Sequence, residues 1–184
     1  MTKAFDLEDL DSSVRSKIYT QDYTPKAPIE GVKIIKLVNH VGEDGDFSEI
    51  MKLDSHGEVE GLPGFKLAQI NRTKLGPQSV KAWHLHLKQD EIWYVSPHYE
   101  VFVGLWDIRQ NSRTRGATMR FTLGGGNSQL LFIPRGVAHG TANFTYELNQ
   151  LYYFVNEKFN PQDPDEKRLP WDALGANFWQ PERD

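Results

Sequence analysis

Cysteine is absent from all 184 residues. Disulfides and thiolate-held zinc are thereby excluded, and any metal must take nitrogen and oxygen ligands. Runs of one charge are also missing. The formal net charge is -4 and no basic stretch interrupts the chain, which argues against nucleic acid and anionic membrane as partners. No apolar run approaches the length of a membrane span, and the polar, acidic Met1–Leu10 is unlike a signal peptide. A cytoplasmic protein is the default expectation. Internal repeats, low-complexity tracts and sustained helical periodicity are lacking as well. The length suits one domain with a real core and is too short for two ordinary ones.

What the chain does contain is a succession of short strand patterns. Residues 1–28 are polar and broken by Pro25 and Pro28. They read as an arm in which Asp11-Ser12-Ser13 caps a short helix running to about Tyr19. Residues 29–184 read as one β domain. Extended patterns occur at Val32–Val38, Ser48–Leu53, Phe65–Arg72, Val80–Leu87, Glu91–Val95, Tyr99–Ile108, Ala117–Leu123, Leu130–Ile133 and Tyr146–Val155. Val41–Phe47 and Ser55–Gly64 read as Gly-rich loops, and Gly124-Gly125-Gly126 as a turn. The pattern implies an all-β sandwich or barrel. Trp171–Trp179 is expected to fold back as a short apolar cover. Tyr99–Ile108 is apolar on both faces, so either a second subunit or that C-terminal cover must bury its outer side.

Four side chains can converge in such a barrel. Strand alternation puts His84 and His86 on one face and Trp83, Leu85 and Leu87 on the other. Glu91 enters after a short turn, and His139 follows Pro134 and Gly136 at a strand end. Three imidazoles and a carboxylate suit divalent Fe, Mn, Ni, Zn or Cu. An isolated His-x-His is more often a half-buried pair without an ion, but the second cluster is spaced independently of the first. His40, His56 and His98 read as surface histidines, and Lys33, Lys36, Arg113 and Arg115 as surface charge. Arg109 is placed either to neutralise Asp107 or to reach a ligand.

His84-Leu85-His86 through Glu91, followed by Pro134-Arg135-Gly136 through His139 and Asn143, resembles the two signature motifs of the cupin superfamily. That resemblance implies a single jelly-roll barrel, with His84, His86, Glu91 and His139 as metal ligands. A closer resemblance runs from about Gly31 to Trp179, to the dTDP-4-dehydrorhamnose 3,5-epimerase family within the cupins. It rests on Gly45–Glu49, Gln69-Ile70-Asn71, His86, Asp107-Ile108-Arg109, Ile133-Pro134 through His139-Gly140, Tyr153, and Trp171-Asp172 through Trp179. It implies proton exchange next to a ketone. His86 is the base, with a pKa near working pH, Tyr153 is the acid on the opposite face, and His139 belongs to the same site. It also implies a sugar or nucleotide-sugar substrate, a homodimer and no organic cofactor.

The departures from that family lie at its cations. Asp44 and Trp83 stand where the family has arginines, His84 where it has glycine, and Glu91 where it has lysine. Each lost cation removes charge-assisted bonds worth about 1.5–3 kcal/mol. The aspartate that pairs with the family's base has only Asp184 as a stand-in. The same substitutions complete the metal-cupin ligand set, so a bound cation is expected to polarise the carbonyl in place of the lost lysine. The leading expectation is a nucleotide-sugar epimerase or isomerase, metal-assisted at His84, His86, Glu91 and His139. The alternatives are a metal-dependent cupin of another class, such as a dioxygenase or free-sugar isomerase, and a non-catalytic sugar-binding cupin.

Overall fold

The computed structural model describes residues 4–22 and 27–181. Twelve strands carry the fold: β1 (Lys33–Lys36), β2 (Asn39–Gly42), β3 (Gly45–Ser48), β4 (Gln69–Leu75), β5 (Val80–Leu85), β6 (Glu91–Tyr94), β7 (Glu100–Asp107), β8 (Thr118–Gly124), β9 (Gln129–Ile133), β10 (Val137–Ala142), β11 (Asn149–Val155) and β12 (Lys167–Arg168). They form two five-stranded sheets, ordered β1-β9-β6-β11-β4 and β12-β5-β10-β7-β8, and a separate β2-β3 hairpin. Every pairing is antiparallel. The observed fold is all-β, as the strand spacing implies, and is the cupin jelly roll that the resemblance implies.

Alternation builds the core. On β7, Val101, Val103 and Leu105 point between the sheets and join Leu75, Trp93, Leu123, Leu131, Ile133 and Leu151. Its other face carries Phe102, Gly104 and Trp106. That face is covered by the chain's own C-terminal segment, in one cluster with Trp83, Phe178 and Trp179. Trp179 packs 4.8 Å from Trp83 and 6.1 Å from Phe102, between ring centroids. Two glycines make the docking possible. Gly104 and Gly140 are register partners on β7 and β10, and a Cβ at Gly104 would lie 2.6 Å from Phe178 and 2.7 Å from Trp179. The C-terminal cover therefore accounts for the two-sided apolar strand.

Some local expectations are corrected. Val41–Phe47 is not a loop but most of the β2-β3 hairpin. Val41 pairs with Asp46, Gly42 pairs with Gly45, and Gly45 has a φ of +141° beside the two-residue turn. Glycine and aspartate there mark the turn and do not end the strands. The Phe65–Arg72 strand begins only at Gln69. Phe65 instead packs with Val59, Leu62, Ile92 and Leu130 on the outer side of the β1-β9-β6-β11-β4 sheet. The N-terminal helix is a single turn, Ser12–Arg15, with the Asp11 carboxylate accepting the Ser13 N–H at 2.8 Å. Residues 4–22 are exposed throughout, so no packed face extends the helix beyond that turn.

Arg109 neutralises Asp107. Its guanidinium donates to both carboxylate oxygens at 2.9 Å and to the Glu30 carbonyl at 2.6 Å. Burial opposes ionisation of Asp107, but Arg109, Ser112 and Thr114 outweigh it and hold the carboxyl well below the usual range.

Candidate functional site

The site lies between the sheets, and each contributes one wall. The β5/β10 wall supplies His84, His86 and His139. The β6/β11 wall supplies Glu91, Trp93 and Tyr153. His139 is the register partner of His84. Two residues further along β10, Thr141 pairs with Lys81, three residues back on β5. That irregularity lets Lys81 and His84 line the same cavity, while Trp83 between them is fully buried in the outer cluster.

Glu91 is the centre of the constellation. It is 4% exposed. One carboxylate oxygen accepts from Gln89 Nε2 at 2.7 Å and lies 3.1 Å from His86 Nε2. The other accepts from Trp93 Nε1 at 2.5 Å and lies 3.6 Å from His139 Nε2. Burial works against its charge, but the imidazoles of His139 and His86 and the Trp93 N–H prevail, and its pKa falls to about 2.

The two buried histidines diverge. Burial disfavours an imidazolium at both. At His86 it is outweighed by the hydrogen bond and charge of Glu91, by the Asp165 carbonyl bonded to Nδ1, and by Glu166, so the pKa rises to about 9. The free site therefore holds its proton on His86, above the near-neutral value expected for the base. At His139, burial dominates and the pKa falls to about 4 despite the attraction of Glu91. Its Nδ1 donates to the Val137 carbonyl at 3.0 Å.

His84 takes another course. Its Nδ1 is 2.6 Å from Glu166 and its Nε2 accepts from Arg168 at 2.9 Å. The ligand atoms of His86, Glu91 and His139 all lie within 4.8 Å of one another, and His84 is not in that group. Three of the four expected metal ligands therefore converge, while both ring nitrogens of the fourth are engaged elsewhere.

Tyr153 is half-buried on β11, opposite Trp93 of β6. Burial and the charges of Glu91 and Glu166 raise its pKa, which keeps the phenol protonated. It shares with His84, His86, Glu91 and His139 a cavity of about 700 Å³. A neighbouring lobe of about 550 Å³ adds Gln69, Asn71, Lys88 and Asp165. Exposed Phe159 and Trp171 flank the larger space.

Of the positions where the sequence departs from the family's expected cations, Glu91 lines the cavity, and Asp44 and Trp83 do not. Asp44 is exposed at the β2-β3 turn, Trp83 faces outward, and Asp184 lies outside the described residues. Sequence reasoning missed Lys81, Asp165, Glu166 and Arg168. Lys81 stands at the start of the histidine stretch, where a single lysine carries no signal of its own. The other three lie in an acidic, Pro-rich stretch with no periodic signal. Asn143, part of the second motif, is structural: its amide donates to the carbonyls of Leu75, Gly76 and Glu147.

Residues 26–181 match the family model described as dTDP-4-dehydrorhamnose 3,5-epimerase. The chain belongs to that family. Relatives of this epimerase-family chain include the spore coat polysaccharide biosynthesis protein SpsL of Bacillus subtilis. It is 38% identical over 152 residues, spanning 82% of this chain and 96% of that protein. Among solved structures, a dTDP sugar isomerase from Desulfovibrio desulfuricans is 27% identical with a TM-score of 0.67, covering 79% of this chain and 88% of its own. An epimerase from Legionella pneumophila, solved with dTDP-4-keto-L-rhamnose, is 25% identical with a TM-score of 0.66, covering 78% and 74%. This cupin-fold member of an epimerase family thus carries His86, His139 and Tyr153 at one cavity. Among the described residues, no helix is long and apolar enough to cross a membrane.

Proposed function

We propose that the enzyme epimerises a 4-keto sugar carried on a nucleoside diphosphate, by proton exchange at a carbon next to the ketone. The observation that carries this reading is that His86 and Tyr153 line one cavity from opposing sheets. The base is the neutral form of His86, the minority form below about pH 9. With Nδ1 committed to the Asp165 carbonyl, that form uses Nε2, the nitrogen facing Glu91, to take the carbon-bound proton. The electron pair passes into the enolate of the adjacent ketone. Tyr153 then returns a proton from the opposite wall, and the centre inverts. Lys81 and Arg168 are cations of the same cavity and are assigned here to the phosphates. The test is incubation in deuterium oxide with a dTDP-linked 4-keto-6-deoxy sugar. Deuterium should enter next to the ketone with wild-type protein and not with His86→Ala. No incorporation from any 4-keto sugar nucleotide would overturn the proposal.

A metal-assisted form of the reaction has support in the His86–Glu91–His139 grouping. The donor set fits a divalent cation, because both histidines anchor Nδ1 on backbone carbonyls and turn Nε2 to the carboxylate. An ion there would act as a Lewis acid on the substrate carbonyl. Metal analysis, with activity lost to EDTA and restored by one metal, tests it; full activity in EDTA rejects it. A homodimer is proposed alongside, through the β2-β3 hairpin, where Val41 is 80% and Phe47 64% exposed. A monomeric sedimentation coefficient would reject it.

A further inference from the structure

We infer that Asp165 is a positioning residue for His86, holding the ring so that Nε2 is the nitrogen offered to substrate. The inference rests on the epimerase reading for its catalytic consequence. Its structural part stands on one residue that grips four consecutive positions of the chain.

β12 pairs with the edge of β5, matching Lys167 to Leu85 and Arg168 to His84. Asp165, just before β12, therefore lies against the turn where β5 has ended. Its carboxylate accepts the backbone N–H of Leu87 at 2.9 Å, of Lys88 at 2.7 Å and of Gln89 at 2.9 Å. Successive N–H groups in a turn form an anion-binding concavity, and here the chain's own side chain fills it. The same residue's carbonyl accepts from Nδ1 of His86. Lys88 Nζ, 2.8 Å from Asp163, ties the two segments once more.

A histidine bonded to a carbonyl through Nδ1–H must, when neutral, carry its lone pair on Nε2. The carboxylate clamp holds that carbonyl in place. Without it, the ring can turn or adopt the other tautomer, whose Nε2–H cannot accept a proton. Asp165 is thus bound to the histidine only through its backbone, and to the histidine's turn through its side chain. A substitution at Asp165 leaves the acceptor carbonyl chemically present and removes only what fixes its place.

The experiment uses full-length protein labelled with 15N-histidine. Wild type should show a slowly exchanging His86 Nδ1–H resonance, assigned by its loss in His86→Gln. Asp165→Ala should lose it, while the His139 Nδ1–H resonance, bonded to Val137, persists as evidence that the barrel is folded. Its kcat should fall about 100-fold, as for a misplaced reacting group, with KM little changed. Asp165→Asn, which keeps the size and one acceptor oxygen, should recover part of both signals. Persistence of the His86 resonance in Asp165→Ala would overturn the inference. So would loss of the resonance at unchanged kcat, or a raised KM alone, which would make Asp165 a binding residue. If wild type itself fails to turn over 4-keto sugar nucleotides, the epimerase reading fails, and the resonance alone still decides whether the clamp exists.

Discussion

The sheet β12-β5-β10-β7-β8 has two faces of opposite chemistry, and the boundary runs through adjacent residues. His84 and His86 face the cavity with ion pairs and hydrogen bonds. Trp83, between them in sequence, is fully buried in the outer cluster with Phe178, Trp179 and Trp106. The inner face keeps charge out of water only because each ionised group has partners. On the outer face, packing leaves the Trp83 indole N–H without a hydrogen-bond acceptor among the described residues. The lesson is that adjacent residues of one strand serve different ends: Trp83 packs the outer cluster while His84 lines the cavity. One face should govern turnover and the other stability.

The sharpest way to break that division is at His86. His86→Ala should lower turnover per folded molecule by about 10²–10⁴-fold, the usual worth of a general base. The matching change outside is Trp83→Ala. It should cost about 3–5 kcal/mol in urea unfolding, as for a buried tryptophan, while turnover per folded molecule stays near wild type. A large loss of turnover in the folded Trp83→Ala protein would show that the faces are not separable.

Tyr153→Phe should lower epimer formation by about 10²-fold as a lost general acid. Solvent deuterium exchange at the substrate carbon should persist, since His86 can still remove and return the proton. Gly104→Ala should cost about 1–3 kcal/mol by overpacking, because the new Cβ meets Phe178 and Trp179 at 2.6 and 2.7 Å; its kcat should be unchanged.

A separate effect is in the pH dependence of stability. His86 has its pKa raised from 6.5 to about 9. Its contribution is therefore complete below about pH 6.5 and is lost as pH rises through 9. His139 and Glu91 are lowered, to about 4 and about 2. Their contributions are present above about pH 6.5 and 4.5 respectively and are lost on acidification. Urea titrations across pH should show stability falling on both sides of about pH 6.5. His86→Asn should flatten the alkaline limb and, because the His86 charge helps lower the pKa of both Glu91 and His139, weaken the acid limb as well.

Much of the fold was readable because strand alternation and glycine spacing are local properties. The two apolar faces of Tyr99–Ile108 announced a covered sheet, but could not say what covered it. Gly104 and Gly140 become informative only when placed opposite each other. The β2-β3 hairpin was misread because its glycines and acidic residues serve equally for a loop and for a tight turn. At the site, His86, Glu91 and His139 stand out by type and spacing, and Tyr153 only through the family resemblance. Asp165 did not, because its contact with His86 joins positions 79 residues apart and follows from the pairing of a two-residue strand.

By itself the sequence determined the all-β class, the candidate imidazoles and carboxylate, the absence of thiol chemistry, and the kinship with the epimerase family. Each of these follows from residue identity and near-neighbour order. Only the tertiary structure decided that His84 turns to Glu166 and Arg168, that Trp83 faces away from the cavity, and that one buried histidine holds its proton while the other sheds it. Those outcomes depend on burial and on charges brought within a few ångströms by strands distant in sequence.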